Sequence, residues 1–169
     1  MVEPGADVTE LPDMFLHAET FYRAIDIIHR HDRAVVAQIS LPLMVLTAFA
    51  SELYFKCIIF VETGKLTKGH YLYDLFQKLS PKSQRRLSEL WDRVTAPREE
   101  TLRKVEKDLG RTIPRDLRGN LIEGSKSFED LRYLYEREKP KKFLFNLGDL
   151  PRPLRMLVLE LKPDLVARK

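Results

Sequence analysis

An almost uninterrupted apolar stretch, residues 40–64, constrains the fold of this chain more than any other feature. It reads SLPLMVLTAFASELYFKCIIFVETG. Ser40 suits the N-cap of a helix, Pro42 its first turn, and Gly64 the position just after its last residue. A helix that is apolar on nearly every side lies at the centre of a bundle or crosses a membrane.

Two charges in the middle of this stretch favour the central helix of a bundle. Glu52 and Lys56 are four residues apart, with the acid first, so they share one helical face in the favourable order. In a bilayer centre each charge would cost roughly 2.5–3.5 kcal/mol, and we therefore expect no membrane contact. The pair is either an ion pair at the margin of the core or part of a polar strip that faces a cleft or a partner chain.

Composition places the chain among soluble globular proteins. It has 169 residues, 44% hydrophobic and 32% charged, which is enough for one domain with a real core. The net charge of +4 permits an acidic partner such as nucleic acid. Cys57 is the only cysteine, which excludes an internal disulfide and a cysteine-based zinc site. With acids in place of the basic start of a secretory signal, these features predict a cytoplasmic protein.

Apolar residues recur at helical spacing on both sides of the central stretch. We expect a flexible tail over residues 1–12 and a single helical domain over residues 13–169. Further helices are predicted over residues 13–38 (with a break near His31), 72–79, 81–94, 98–109, a short one from Pro114, 127–139 and 154–161. Residues 143–145 form a short apolar run that suits an extended piece. No strand series or repeat is present, so the fold prediction is all-α, an up-and-down bundle of five to seven helices.

Several familiar catalytic patterns are missing from the sequence. It contains no Gly-rich phosphate loop, nucleophile elbow, HExxH motif or cysteine-rich metal spacing. His29 and His31 are two residues apart and would point in different directions on a helix, so we expect no metal site and no cofactor. His70 follows Gly69 in a polar loop, where it either caps the next helix or reaches a ligand.

Arginine and tyrosine residues lie close together in residues 127–139, which read SFEDLRYLYEREK. Arg132 and Glu136 have ion-pair spacing, and Tyr133 lies beside them. Interleaved Arg and Tyr side chains suit phosphate contact and base stacking. Tyrosines at this spacing also suit helix packing, so the segment has two possible roles.

Three segments together resemble a HEPN domain, a member of the all-α higher-eukaryote and prokaryote nucleotide-binding superfamily. They are ASELYFK (50–56), KGHYLYDLF (68–76) and FEDLRYLYE (128–136), and the resemblance covers residues 15–138. It implies a four- to five-helix up-and-down bundle that forms a homodimer. It also implies binding of RNA or a nucleotide in prokaryotic defence, toxin–antitoxin or stress-response systems. For an interaction module of this kind, a partner protein would be, for example, a nucleotidyltransferase-type antitoxin.

The sequence departs from the catalytic pattern of that family. Active members carry an Arg on a late helix and a His separated from it by four to six residues, which together serve metal-independent RNA cleavage. Arg132 matches the Arg, but no histidine follows His70. Arg23 and His29 have the right spacing on the first helix, where chance alone predicts about one such match in this chain.

The resemblance therefore implies a non-catalytic module that binds RNA or a nucleotide. Two alternatives stay open: a metal-independent endoribonuclease in which Arg132 works with His70 or Glu136, and a protein-interaction module that acts through its dimer face. The candidate ligand-binding residues are Glu52, Lys56, His70, Arg132, Tyr133 and Glu136.

Overall fold

The structure, a computed structural model, describes residues 10–31, 38–110, 112–124 and 147–166. In these ranges the chain is all-α and has no strand, so the predicted helical bundle is confirmed. The α-helices are α1 (Glu10–His29), α2 (Ser40–Thr63), α3 (Leu72–Gln77), α4 (Pro81–Thr95), α5 (Glu99–Leu109), α6 (Leu117–Gly124) and α7 (Pro151–Leu161). Short 3₁₀ helices cover Ala96–Arg98, Leu147–Asp149 and Pro163–Val166.

Helix α2 is the central element of the bundle. It packs along α1 and α7 and also contacts α3, while α7 continues the packing to α4. The middle of α2 is shielded from solvent, because Tyr54, Phe55 and Ile58 are fully buried. The first turns of α2 are more exposed to solvent than expected, since Leu41 is exposed and residues 43–46 are only partly buried.

By length and composition alone, α2 is long and apolar enough to cross a membrane. Among the described residues no other helix meets that test. Within its most apolar window, 56% of the residues are buried inside the bundle. Core helices of soluble proteins have the same property, so the packing of α2 agrees with the central position predicted for it.

The two ends of α2 differ in how well the sequence predicted them. Gly64 ends the helix with φ 67°, as expected, and its N–H donates to the Phe60 carbonyl at 2.8 Å. The prediction of Ser40 as N-cap is wrong. The Leu43 N–H donates to the Ile39 carbonyl at 3.0 Å, so Ile39 occupies the cap position and Ser40 is already helical.

A serine cap begins α4 as predicted. The Ser83 N–H donates to Ser80 Oγ at 3.2 Å, and Pro81 follows in the first turn. The Ser80 hydroxyl and N–H in turn donate to the two carboxylate oxygens of Glu62 at 2.6 and 2.9 Å. This contact joins the end of α2 to the start of α4.

Three predicted boundaries are corrected or confirmed by the structure. Residues 10–12 belong to α1 instead of a tail, because Leu11 is buried in the core. The helix break near His31 is confirmed, since α1 ends at His29. The last helix begins at Pro151, three residues earlier than predicted, because the fixed φ of proline suits a first helical turn. The predictions for residues 127–139 and 143–145 lie outside the described residues.

Candidate functional site

The Glu52 carboxylate is the centre of a small polar cluster on α2. Its side chain is only 8% exposed, and its Oε1 atom accepts a hydrogen bond from Lys56 Nζ at 2.7 Å. Lys56 is four residues later on the same face and is 17% exposed, so the predicted ion pair forms at the edge of the core. A buried carboxylate needs such partners, because an unpaired charge there would be costly.

His70 joins the same carboxylate from the loop that follows α2. Its Nδ1 lies 3.0 Å from Glu52 Oε1, whereas its side chain is 69% exposed. Since a carboxylate only accepts hydrogen bonds, Nδ1 carries the proton in this contact. The other ring nitrogen, Nε2, is then left to bind a ligand or to exchange a proton, and the buried acid orients the ring.

The loop is held in place by more than His70. Lys78 Nζ reaches back from the end of α3 and donates to Thr67 Oγ1 at 2.9 Å and to the Lys68 carbonyl at 3.0 Å. Gly69 has φ 111°, a backbone conformation that other residues rarely adopt, and it turns the chain toward His70. The structure thus brings together Glu52, Lys56 and His70, three of the six residues selected from the sequence.

The structure does not describe the other three selected residues. Arg132, Tyr133 and Glu136 lie outside the described residues. The shared polar seam expected between Arg132 and the Glu52 cluster therefore stays a prediction.

A second surface feature, here called the Tyr73 groove, follows the loop directly along the chain. It has a volume of about 470 Å³ and is lined by Tyr73, Phe76, Gln77, Pro81, Gln84, Arg85, Ser88 and Arg118. Arg118 Nε donates to the Tyr73 hydroxyl at 3.2 Å, and its guanidinium carbon lies 6.0 Å from the centre of the Tyr73 ring. Two arginines, two amides and two aromatic residues, Tyr73 and Phe76, thus line one concave surface.

The charged residues in the described lining of the Tyr73 groove are all positive. Its described lining contains Arg85 and Arg118 but no Asp or Glu. Neither arginine has an ion pair with any described carboxylate, and both are exposed. By contrast, the neighbouring Arg86 is paired with Glu89 and Glu160. Guanidinium groups that have no acidic partner in the described ranges, in a groove that also holds a tyrosine ring, suit an anionic ligand with a flat ring.

A buried polar network between α1, α2 and α7 was not predicted from the sequence. The Tyr54 hydroxyl donates to Glu19 Oε1 at 2.5 Å, and Arg155 donates to both Glu19 oxygens at 2.6 and 3.1 Å. Burial and the hydrogen bond to Glu19 raise the pKa of Tyr54 well above its usual value. The bond to Glu19 also raises the pKa of Arg155. Both Glu19 oxygens therefore have hydrogen-bond donors, and the network links α1 to α2 and α7.

One signal for this network was present in the sequence. Glu19 falls at a position of the α1 pattern that is otherwise apolar, one helical turn after Phe15 and with Tyr22 three residues later. An acid on a core face needs a buried partner, which here comes from two distant helices.

The described part of the chain offers no obvious metal centre. Within it, no three His, Cys, Asp or Glu side chains are grouped closely enough to hold an ion. The Glu52 cluster supplies one carboxylate and one imidazole, which are too few ligands to enclose a metal.

Comparisons of the chain with protein-family models, with curated proteins and with solved structures found no match.

Proposed function

We propose that this helical bundle is a HEPN-like module that binds RNA or a nucleotide. The observation that supports it best is the Tyr73 groove, which Arg85 and Arg118 line without acidic partners among the described residues and in which Arg118 lies against the Tyr73 ring. Guanidinium groups bind phosphate, and a tyrosine ring stacks on a base of any sequence. A single nucleotide unit presents both groups to the groove at once.

The loop before the groove extends the positive surface. Lys68 and Lys78 lie in or on this loop, and His70 presents an exposed ring that Glu52 orients. A strand of RNA that stacks on Tyr73 would meet the two lysine ammonium groups and the His70 ring as its backbone continues. We therefore assign base stacking to the groove and backbone contact to the loop.

The direct test is the binding of a fluorescently labelled single-stranded RNA, followed by anisotropy. We expect saturable binding that weakens as salt rises from about 50 to 200 mM, because phosphate contacts release counterions. Tyr73→Ala should weaken binding by roughly five- to a hundredfold through the loss of stacking. Lys104→Ala is the matched control, since Lys104 is an exposed cation already paired with Glu100 on α5.

A second candidate function, metal-independent RNA cleavage, is favoured by the His70–Glu52 contact. In this reaction His70 Nε2 accepts the proton of a ribose 2′-hydroxyl, the 2′-oxygen bonds to the adjacent phosphorus, and the P–O5′ bond breaks. The protonated ring returns the proton to the leaving 5′-oxygen. The products are a 2′,3′-cyclic phosphate and a 5′-hydroxyl end, with no net change in protons.

Cleavage and binding are separated by incubating labelled RNA with the protein and a chelator. Product that His70→Ala abolishes, while Lys104→Ala leaves it intact, would establish the enzyme. Intact RNA together with salt-dependent binding would establish the binding module alone. Absence of any RNA or nucleotide affinity at low salt would refute both and leave an interaction module as the remaining alternative.

A further inference from the structure

We infer, on the basis of the proposed function, that the Tyr73 groove prefers bases that carry an exocyclic amino group. These are adenine and cytosine, in contrast to hypoxanthine and uracil, which have a carbonyl oxygen in the same place. Stacking on Tyr73 accepts any base, so a preference must come from groups that meet the edge of the ring. Two such groups, Gln84 and Ser88, lie on α4 and line the groove.

The Gln84 side-chain amide is held in one orientation. Its Nε2 donates to the Leu79 carbonyl at 2.9 Å and, more weakly, to the Gln77 carbonyl at 3.4 Å. An amide rotated by half a turn would direct its oxygen at these two carbonyl oxygens, where it could accept no hydrogen bond. A glutamine side chain can usually present either a donor or an acceptor, and this anchor removes the choice.

Gln84 therefore offers a ligand an acceptor, its Oε1 atom. The buried polar side-chain atoms without a partner in the described ranges belong to Glu10 and Ser51. Oε1 of Gln84 accepts no hydrogen bond from a described residue either, so it is accessible. An accessible oxygen on a residue that lines the groove can accept a hydrogen bond from the edge of a bound base.

Ser88 supplies a second acceptor one helical turn further along α4. Its hydroxyl donates to the Gln84 main-chain carbonyl at 3.0 Å, so its only hydrogen is used and lone pairs alone are left for a ligand. Side chains four residues apart on a helix lie on one face, about 5–6 Å from each other. An amino group that donates two hydrogen bonds of ordinary length joins acceptors about 5 Å apart, so one amino group has the reach to bond to both.

The donors of the groove complete the pattern. The guanidinium groups of Arg85 and Arg118 only donate, and they suit a phosphate or the ring nitrogen beside the amino group. A carbonyl oxygen in place of the amino group would face the lone pairs of Gln84 and Ser88 and leave both without a donor. The loss of those bonds is the physical source of the expected preference.

Four labelled RNA pentanucleotides of equal charge test the preference. UUAUU is compared with UUIUU, where I is inosine, and UUCUU is compared with UUUUU, so each pair differs by an amino group replaced with an oxygen. Affinity for the full chain is measured by fluorescence anisotropy at about 50 mM salt. We expect UUAUU to bind about five- to twentyfold more tightly than UUIUU, and UUCUU to exceed UUUUU by a similar factor.

Three variants assign the preference to its residues. Gln84→Met keeps the length of the side chain but removes the acceptor, and it should bring both affinity ratios close to one while binding of UUUUU is retained. Ser88→Ala leaves the Gln84 anchor in place and should lower each ratio by about two- to fourfold, which provides the test if Gln84→Met does not fold. Gln77→Met is the matched control: Gln77 also lines the groove, but its exposed amide has no hydrogen bond in the described ranges and can turn either way, so both ratios should stay unchanged.

The affinity for UUUUU separates the two ways in which the experiment can fail. Equal affinity of the native chain for all four RNAs, or unchanged ratios in folded Gln84→Met, would overturn the base preference while RNA binding stands. No binding of any of the four at low salt would overturn the proposed function, and the base preference with it.

Discussion

The Nδ1 atom of His70 lies 3.0 Å from Oε1 of Glu52, and this contact fastens an exposed loop imidazole to the central helix. The same oxygen also accepts from Lys56 at 2.7 Å. Because the carboxylate is buried while the imidazole ring is mostly exposed, the interior of the bundle orients a group at its surface. This is the arrangement expected of a side chain that meets a ligand.

Glu52→Gln should destabilise the fold far more than the same change at an exposed pair. We expect a loss of about 2 kcal/mol in the free energy of unfolding, because Lys56 and His70 lose a charged acceptor at a buried site. Urea denaturation measures it. Glu100→Gln is the control, since the Glu100–Lys104 pair has the same spacing but is exposed, and its loss should stay under about 0.5 kcal/mol. Equal losses at both sites would contradict the buried role of Glu52.

Tyr54 and Glu19 should be energetically coupled. Tyr54→Phe removes the hydroxyl that donates to Glu19, and Glu19→Gln weakens the acceptor that Arg155 also uses. In a double-mutant cycle followed by urea denaturation, we expect a coupling energy of about 1–2 kcal/mol. Additive single losses would show that the network does not act as one unit.

Stability should fall on the alkaline side partly because of Cys57. Burial raises the pKa of this thiol from its ordinary value of 9.0 to about 12. In the unfolded chain the thiol loses its proton near pH 9, whereas in the folded chain it keeps the proton to about pH 12. The contribution is therefore complete below the unfolded pKa and is lost as the pH rises toward the folded one.

Cys57→Ala should flatten the stability–pH curve in that range. Urea denaturation at a series of pH values, in the presence of a reducing agent, measures the slope for both proteins. Tyr54, whose pKa burial also raises, leaves a residual slope at the upper end in each of them. Identical slopes in the two proteins would show that the thiol is not protected from ionisation.

Two glycines give a matched test of backbone strain. Neither Gly64 nor Gly148 has an atom within 4 Å of the place where a Cβ would lie, but of the two only Gly64 has a positive φ, 67°. Gly64→Ala should therefore cost about 1 kcal/mol in unfolding free energy. Gly148→Ala should change it by less than about 0.5 kcal/mol. A larger loss at Gly148 than at Gly64 would contradict the assignment of the α2 end.

Local patterns in the sequence were sufficient for most of the fold. The helical spacing of apolar residues, the Ser80 cap and Gly64 were each correct because they act within one or two turns. The errors at Ser40 and Pro151 are shifts of one and three residues at helix starts. There, several neighbouring residues can satisfy the same capping requirement, so the pattern alone does not choose among them.

Less of the candidate site could be predicted from the sequence, because its contacts join segments that are far apart along the chain. The Glu52–Lys56 pair was predicted from spacing alone. The His70–Glu52 contact required the loop to fold back over 18 positions, and the Arg155–Glu19 contact spans 136. Such contacts depend on how the helices pack, which the pattern of a single helix does not specify.

The most direct test of RNA or nucleotide binding is the salt dependence of RNA affinity in the variant Arg85→Gln/Arg118→Gln. These two changes keep polar, hydrogen-bonding side chains but remove both charges from the Tyr73 groove. We predict that the slope of log affinity against log salt falls in magnitude by about 1.4, because each phosphate that a cation neutralises on a single strand contributes about 0.7. Lys104→Gln should leave the slope unchanged. A double variant with the native affinity and slope would contradict the assignment of this groove as the nucleic-acid site.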